Sequence, residues 1–192
     1  MIGALSRLLR ERRGATLVEF AIICPVMLMA LMGLGDVLYR AYVQAILVGA
    51  VQKAGRDSGI QNSDTTALDT AVQTMVKTIA PSATFASTRK NYDTFSQVAP
   101  EPFTDTNGNG VRDPGECFTD QNGNGVWDAD PGVTGQGGAD DVVAYTMTVT
   151  YPRLFPVGLL GMSTTATASA STILKNQPYS AQAVTTVATV CT

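Results

Sequence analysis

The chain has 192 residues, thirteen of them basic and sixteen acidic, for a formal charge of −3, and it contains no histidine. That length supports one modest domain beyond any membrane segment. Without His the commonest general base and a favoured transition-metal ligand are missing. There is also no Gly-x-Ser-x-Gly elbow and no phosphate-cradling loop, so the expectation is that the chain is not an enzyme. No basic patch with interleaved aromatics occurs beyond the N-terminus, which argues against nucleic acid as a partner.

Residues 15 to 35 form an apolar run in which Glu19 is the one charged residue. At about 1.5 Å per residue, a helix of this length spans the ~30 Å hydrocarbon core of a bilayer. Arg7, Arg10, Arg12 and Arg13 precede it, against a single Glu11. Such a basic flank stays on the cytoplasmic side and places the rest of the chain outside. A carboxylate such as Glu19 costs roughly 2.5–3.5 kcal/mol at the centre of a membrane helix and less near its surface. It either snorkels to headgroup depth or has a partner. A cleaved secretory signal peptide is the rival reading, but the run is long for one and lacks a clean small-x-small site.

Gly14, followed five residues later by Glu19-Phe20 at the head of an apolar helix, resembles the processing site of type IV prepilins and pseudopilins. The resemblance implies that a prepilin peptidase cuts after Gly14, removing a leader of residues 1–14 and leaving Ala15 as the new amino terminus. It further implies that Glu19 meets the amine of a neighbouring subunit's Ala15 during assembly. Val18-Glu19-Phe20-Ala21-Ile22-Ile23-Cys24-Pro25 is more narrowly similar to TadE-like pseudopilins of the tight-adherence (Tad) pilus. Ser169-Ala170-Ser171-Thr172-Ile173-Leu174-Lys175-Asn176-Gln177-Pro178-Tyr179 resembles that family's closing strand, which often has Glu where this chain has Gln177.

The membrane helix, residues 15–36, is expected to run on into the exported head, residues 37–192. Arg40, Gln44, Gln52 and Arg56 make a polar stripe at helical spacing, and Val43, Ile46, Leu47, Ala50, Val51 and Ala54 an apolar one. Pro25 removes a backbone hydrogen bond and is expected to kink the span. Gly55 to Gly59 ends the helix. Asp64 reads as the N-cap of a second helix with an apolar stripe of Ala67, Leu68, Ala71, Val72, Met75, Val76 and Ile79, closed by Pro81. Residues 84 to 98 suggest one or two strands. Residues 142 to 154 alternate as a strand with Val143, Tyr145, Met147, Val149 and Tyr151 on one face. Further strands are expected over 164–175 and 181–191. The apolar stretch 154–162 between them is expected to be a buried connection, with contact to the membrane surface or a partner subunit as the alternative. Helix, helix and then mainly antiparallel strands define an α+β, pilin-like head.

Nine acidic residues and one basic residue, Arg112, fall within 101–141. Here residues 103–117 and 118–132 repeat with a period of 15. The first copy satisfies D-x-[DN]-x-[DN]-G-x5-E, a calcium-loop pattern. Its ligands would be Asp105, Asn107, Asn109, the Val111 carbonyl, Asp113 and Glu116, with Gly110 at the turn, supplying the oxygens a hard cation takes. The second copy offers Asp120, Asn122, Asn124, the Val126 carbonyl and Asp128. Pro131 stands where Glu is wanted, so Asp130, or Asp140 and Asp141, would complete it. These loops resemble those of EF-hands, dockerins and thrombospondin type 3 repeats, without the flanking helices of the first. Cys117 and Cys191 lie in the exported part, where they could pair with each other, pair between subunits or remain free; Cys24 is a small apolar residue of the span.

Together these features indicate a membrane-anchored minor pilin or pseudopilin that takes part in assembly or capping of a Tad-type pilus and binds about two Ca²⁺ ions. Its partners would be other pilin subunits, the assembly machinery, the prepilin peptidase and the membrane. Its place would be the bacterial inner membrane, single-pass, with possible incorporation into a surface pilus. A tethered calcium-dependent adhesin or ligand-binding module, and a type II secretion pseudopilin, are the alternatives.

Overall fold

The computed structural model describes residues 13–60, 63–155, 161, 163–183 and 185–191. The order of elements is α1 (Arg13–Ser58), α2 (Thr65–Lys77), β1 (Thr84–Tyr92), a 3-10 turn (Phe95–Gln97), β2 (Cys117–Asp120), β3 (Val133–Thr134), β4 (Val142–Pro152), β5 (Thr165–Lys175) and β6 (Ala188–Cys191). The fold is α+β, as the order of sequence patterns indicated.

The chain divides into two compact units. The first is residues 1–42 with Arg153–Thr164, and the second is Val43–Pro152 with Thr165–Thr192. In the first unit α1 is apolar all round: Leu17, Phe20, Ile22, Ile23, Val26, Leu31 and Leu34 are all exposed. It is a helix long and apolar enough to cross a membrane. Pro25 lies within the continuous helix.

In the second unit α1 continues as one wall of the core. Val43, Leu47, Ala50, Val51 and Ala54 are buried, as their helical spacing predicts. Gly55 permits the helix to lie close to the sheet, since a Cβ there would fall 2.5 Å from Thr172 Cγ2. Gln44 Nε2 donates to the Ser169 carbonyl at 2.9 Å. Helix α2 begins where Asp64 Oδ1 accepts from the backbone N–H groups of Thr66 and Ala67, an N-cap worth about 1 kcal/mol.

The main sheet has the order β3-β1-β4-β5, antiparallel throughout. Met147 lies opposite Ser87 on one side and Ala170 on the other, so each strand's odd/even parity selects its face. Val143, Tyr145, Met147, Val149 and Tyr151 face inward with Ala166, Ala168 and Ala170. The small alanines leave room for the large residues of β4 beside them. The expected third strand over 181–191 is shorter than predicted. Among the described residues of that stretch only Ala188–Cys191 is strand, and it pairs with β2 in a separate two-stranded sheet. Of the apolar connection after β4, residues 156–160 and 162 lie outside the described residues; Leu154, expected to be buried, is 56% exposed.

One polar network ties α2 to this sheet. Arg89 meets Asp69 through two bonds, Nη2 to Oδ1 at 2.6 Å and Nη1 to Oδ2 at 3.1 Å. Tyr145 Oη donates to Asp69 Oδ1 and Ser87 Oγ to Oδ2, both at 2.7 Å, and the guanidinium lies 4.2 Å from the Tyr145 ring centre. Burial disfavours the Asp69 carboxylate, but the bonds from Arg89, Tyr145 and Ser87 outweigh it and hold the pKa below the ordinary value. A lowered folded-state pKa stabilises the fold above the unfolded value of about 3.9 and ceases to do so as pH falls through the folded one. Asp69→Ala is expected to cost about 3 kcal/mol at pH 7, because it strands a largely buried guanidinium. Denaturant melts of the variant and parent should converge as pH falls through the folded-state pKa and the parent's carboxylate is also protonated.

Candidate calcium loops

The insertion is built from two copies of one turn. In the first, Asp105 Oδ1 accepts from the N–H groups of Gly108 and Asn109, and its Oδ2 accepts from Gly110. Asn107 Oδ1 then accepts from Asn109 N–H and Asn109 Oδ1 from Val111 N–H. In the second, Asp120 accepts from Gly123, Asn124 and Gly125 in the same way, and Asn122 and Asn124 accept from Asn124 and Val126. The turns need left-handed backbone at Gly110 (φ 75°) and Gly125 (φ 76°), which side chains with a Cβ rarely adopt. Both Asn side chains of each loop converge on one carboxylate oxygen. Asn107 and Asn109 donate to Asp113 Oδ2 at 2.7 and 2.8 Å, and Asn122 and Asn124 to Asp128 Oδ2 at 2.8 and 2.7 Å.

Glu116 closes the first loop. Its Oε1 accepts from the N–H and hydroxyl of Thr106, each at 2.7 Å, and its Oε2 from Asp113 N–H at 3.0 Å. The Asp113 N–H first, then the two Thr106 donors, hold this carboxyl below the usual glutamate range. In the second loop the corresponding place belongs to Glu101. Its Oε1 accepts from Gln121 N–H at 2.7 Å and its Oε2 from Asp128 N–H at 2.9 Å, with the residue 1% exposed.

Pseudo-twofold symmetry explains this exchange. Phe103 and Phe118, equivalent positions of the repeat, bridge each other in antiparallel fashion. Thr104 N–H donates to the Cys117 carbonyl and Thr119 N–H to that of Pro102, both at 2.8 Å. Glu101 N–H donates to the Asp128 carbonyl as Glu116 N–H does to that of Asp113. Arg112 lies over the Phe118 ring, as Trp127 meets Phe103 edge to face. Every one of these pairs maps onto its counterpart by adding or subtracting 15. The repeat unit therefore starts at Glu101 and Glu116, two residues before the frame set by the Phe-Thr-Asp match. That earlier start was visible in Glu101-Pro102-Phe103-Thr104-Asp105 against Glu116-Cys117-Phe118-Thr119-Asp120.

The carboxylates proposed from the sequence to complete the second loop are committed elsewhere. Asp130 holds Lys90 Nζ at 2.6 Å and accepts from Tyr92 Oη at 2.8 Å. Burial opposes its ionisation, yet Lys90 and Tyr92 keep its pKa below the ordinary value. Burial, and then this carboxylate, push Tyr92 up to about 12. Asp141 accepts from Gly138 N–H and Gln182, and Asp140 pairs with Lys175 at 3.1 Å.

The donor set of each loop suits a hard cation in kind: carboxylates, Asn amide oxygens and a carbonyl, with no soft ligand. Among the described residues, no group of three His, Cys, Asp or Glu side chains is gathered as a metal would require. As a cation site each loop would draw on its Asn amides, whose Oδ1 carries a second lone pair beside the one facing a backbone N–H.

Cys117 and Cys191 are joined in a disulfide that links opposed residues of β2 and β6. Glu19 is exposed on the single chain, and Phe20 beside it is 60% exposed. Gly14 and Ala15 lie in the first turn of α1.

Residues 14–56 match the family model of TadE-like protein, a span confined to α1. The helix that carries Gly14, Glu19 and Pro25 is thus similar to that of TadE-like proteins. The match ends at residue 56 and does not reach Ser169–Tyr179, the segment that resembles the family's closing strand. No curated protein and no solved structure matches the chain.

The bridge fixes the C-terminal strand beside the start of the second loop, across a separation of 74 residues. Cys117→Ser/Cys191→Ser should lower unfolding stability by about 4 kcal/mol on the chain-entropy model. Limited proteolysis should show β6 cut first, and an unchanged cutting pattern would contradict that anchoring role.

Proposed function

We propose that this chain is a membrane-anchored minor pilin or pseudopilin that takes part in assembling or capping a Tad-type pilus. The observation that carries the reading is the match of α1 to TadE-like proteins, and the resemblance of Gly14, Glu19 and Phe20 to a prepilin processing site supports it. Cleavage after Gly14 leaves an amine at Ala15, and Glu19 supplies the matching negative charge to a neighbouring copy, so that neither is left unpaired in a low-dielectric setting. The chain performs no chemistry itself and is instead a substrate of the prepilin peptidase. Mass spectrometry of the native protein should find Ala15 at its amino terminus, and Glu19→Ala should abolish piliation while leaving the protein in the membrane. A chain starting at Met1, or piliation that survives the substitution, would refute this.

The head holds two calcium ions in this reading. The first ion takes Asp105, Asn107, Asn109, the Val111 carbonyl, Asp113 and Glu116. The second takes Asp120, Asn122, Asn124, the Val126 carbonyl, Asp128 and Glu101. Support comes from the twofold equivalence of Glu101 and Glu116, which gives both loops the same complement of oxygen groups. The ions offset mutual repulsion among the carboxylates and hold the insertion folded. Asn in two places per loop lowers ligand charge and puts affinity at the weak extracellular end, about 10⁻⁴–10⁻³ M. Calorimetry on the full-length protein should count two Ca²⁺ ions for the parent and for Asp130→Asn, but one for Glu101→Gln. Retention of both ions by Glu101→Gln and loss of one by Asp130→Asn would return the second site to Asp130.

A further inference from the structure

Asp36 is the first charged residue of α1 after Glu19 and immediately follows the apolar run, about 30 Å along the helix from Ala15. Its neighbours Val37 and Leu38 are 59% and 61% exposed, whereas Asp36 is 4% exposed. The cover comes from the chain just after β4. Arg153 Nη1 donates to Asp36 Oδ2 at 2.5 Å. Phe155 lies against Gly35 so closely that a Cβ there would fall 2.8 Å from Phe155 Cε2. Among the described residues, Asp36 Oδ1 and Arg153 Nε have no hydrogen-bond partner. A buried ion pair with unmet polar atoms is a poor source of stability, so its value lies in position. It neutralises the charge at the outer end of the span and pins one particular segment there. Leu154, between the two contacts, is left 56% exposed. Tyr39 and Tyr42 follow on the helix, where a bilayer's surface layer favours aromatic residues.

We propose that Leu154 and Phe155 form a second membrane contact, lying in the outer headgroup layer and held there by the Asp36–Arg153 pair. Continuity with the span selects lipid as the occupant, since the same helix turn that carries Asp36 leaves the bilayer at this level. The inference rests on the membrane-anchor reading of α1. At this boundary an apolar side chain and an aromatic ring are favoured, and a paired charge is tolerated where a lone one is not.

The test uses the full-length chain with Cys24→Ser, reconstituted in nanodiscs of phosphatidylethanolamine and phosphatidylglycerol. Nitroxide labels are placed singly at Leu154→Cys, at Met27→Cys in the span and at Lys53→Cys on the polar stripe. Collision with oxygen is compared with collision with an aqueous nickel complex. The label at 154 is expected to be protected from nickel, short of the depth read at 27. Asp36→Asn should abolish that protection, and the charge-swapped pair Asp36→Arg with Arg153→Asp should restore it. A 154 label as open to nickel as that at 53, with the label at 27 deep, overturns this inference and leaves the anchor intact. A nickel-exposed label at 27 overturns both. Spin–spin broadening between chains at 154 would make a second copy the occupant and also overturn it. Unchanged depth in Asp36→Asn would remove the ion pair from the mechanism.

Discussion

One helix must satisfy two solvents. From Leu17 to Leu34, Glu19 apart, the side chains of α1 are apolar on every side and almost all exposed, and water is a poor environment for such a surface. From Val43 onward the same helix is amphipathic and supplies one wall of the folded core. The change in pattern happens without Pro, Gly pair or cap, so the backbone hydrogen-bond ladder runs through it. An amphipathic stripe fixes which way the helix faces the sheet, and the sheet's small β5 residues accept it. Everything else in the second unit is arranged on that surface.

The insertion obeys a different constraint. It has few apolar residues with which to build a core, so its order rests on backbone N–H groups aimed at carboxylate and amide oxygens. Two such turns, joined by the Phe103–Phe118 bridge, give each other the residue each lacks. Glu116 follows its loop in the chain, whereas Glu101 precedes both. The two nonetheless occupy equivalent places, because antiparallel pairing at one point brings the ends of the repeat together. Trp127 and Arg112 show that equivalence of place does not demand identity of residue, since each covers the opposite Phe by a different interaction.

Much of this architecture was legible in the sequence wherever the signal is local and periodic. The span, the Asp64 cap, the apolar stripe of α1 and the alternation of β4 all follow from spacing along a few turns or a single strand. What was missed depends on contacts between distant segments. Glu101 escaped because the calcium-loop pattern looks only forward from its first Asp. Asp130, expected to complete the second loop, instead bonds Lys90 and Tyr92, which lie about 40 residues earlier. Residues 181 to 183 and 185 to 187 have a strand-like composition, but strand pairing begins only at Ala188, opposite Asp120. The Asp69–Arg89–Tyr145 network joins three elements, and no one of them announces it alone.

The exchange of glutamates has a consequence for how this insertion can change in length. Excising residues 103–117 would remove Glu116 and join Glu101 directly ahead of the surviving loop. In that location, as its present relation to Asp105 shows, a glutamate does not reach the turn that follows it. The two fifteen-residue units are thus topologically interdependent: Glu101, at the head of the earlier one, closes the later turn, and Glu116, at the head of the later one, closes the earlier.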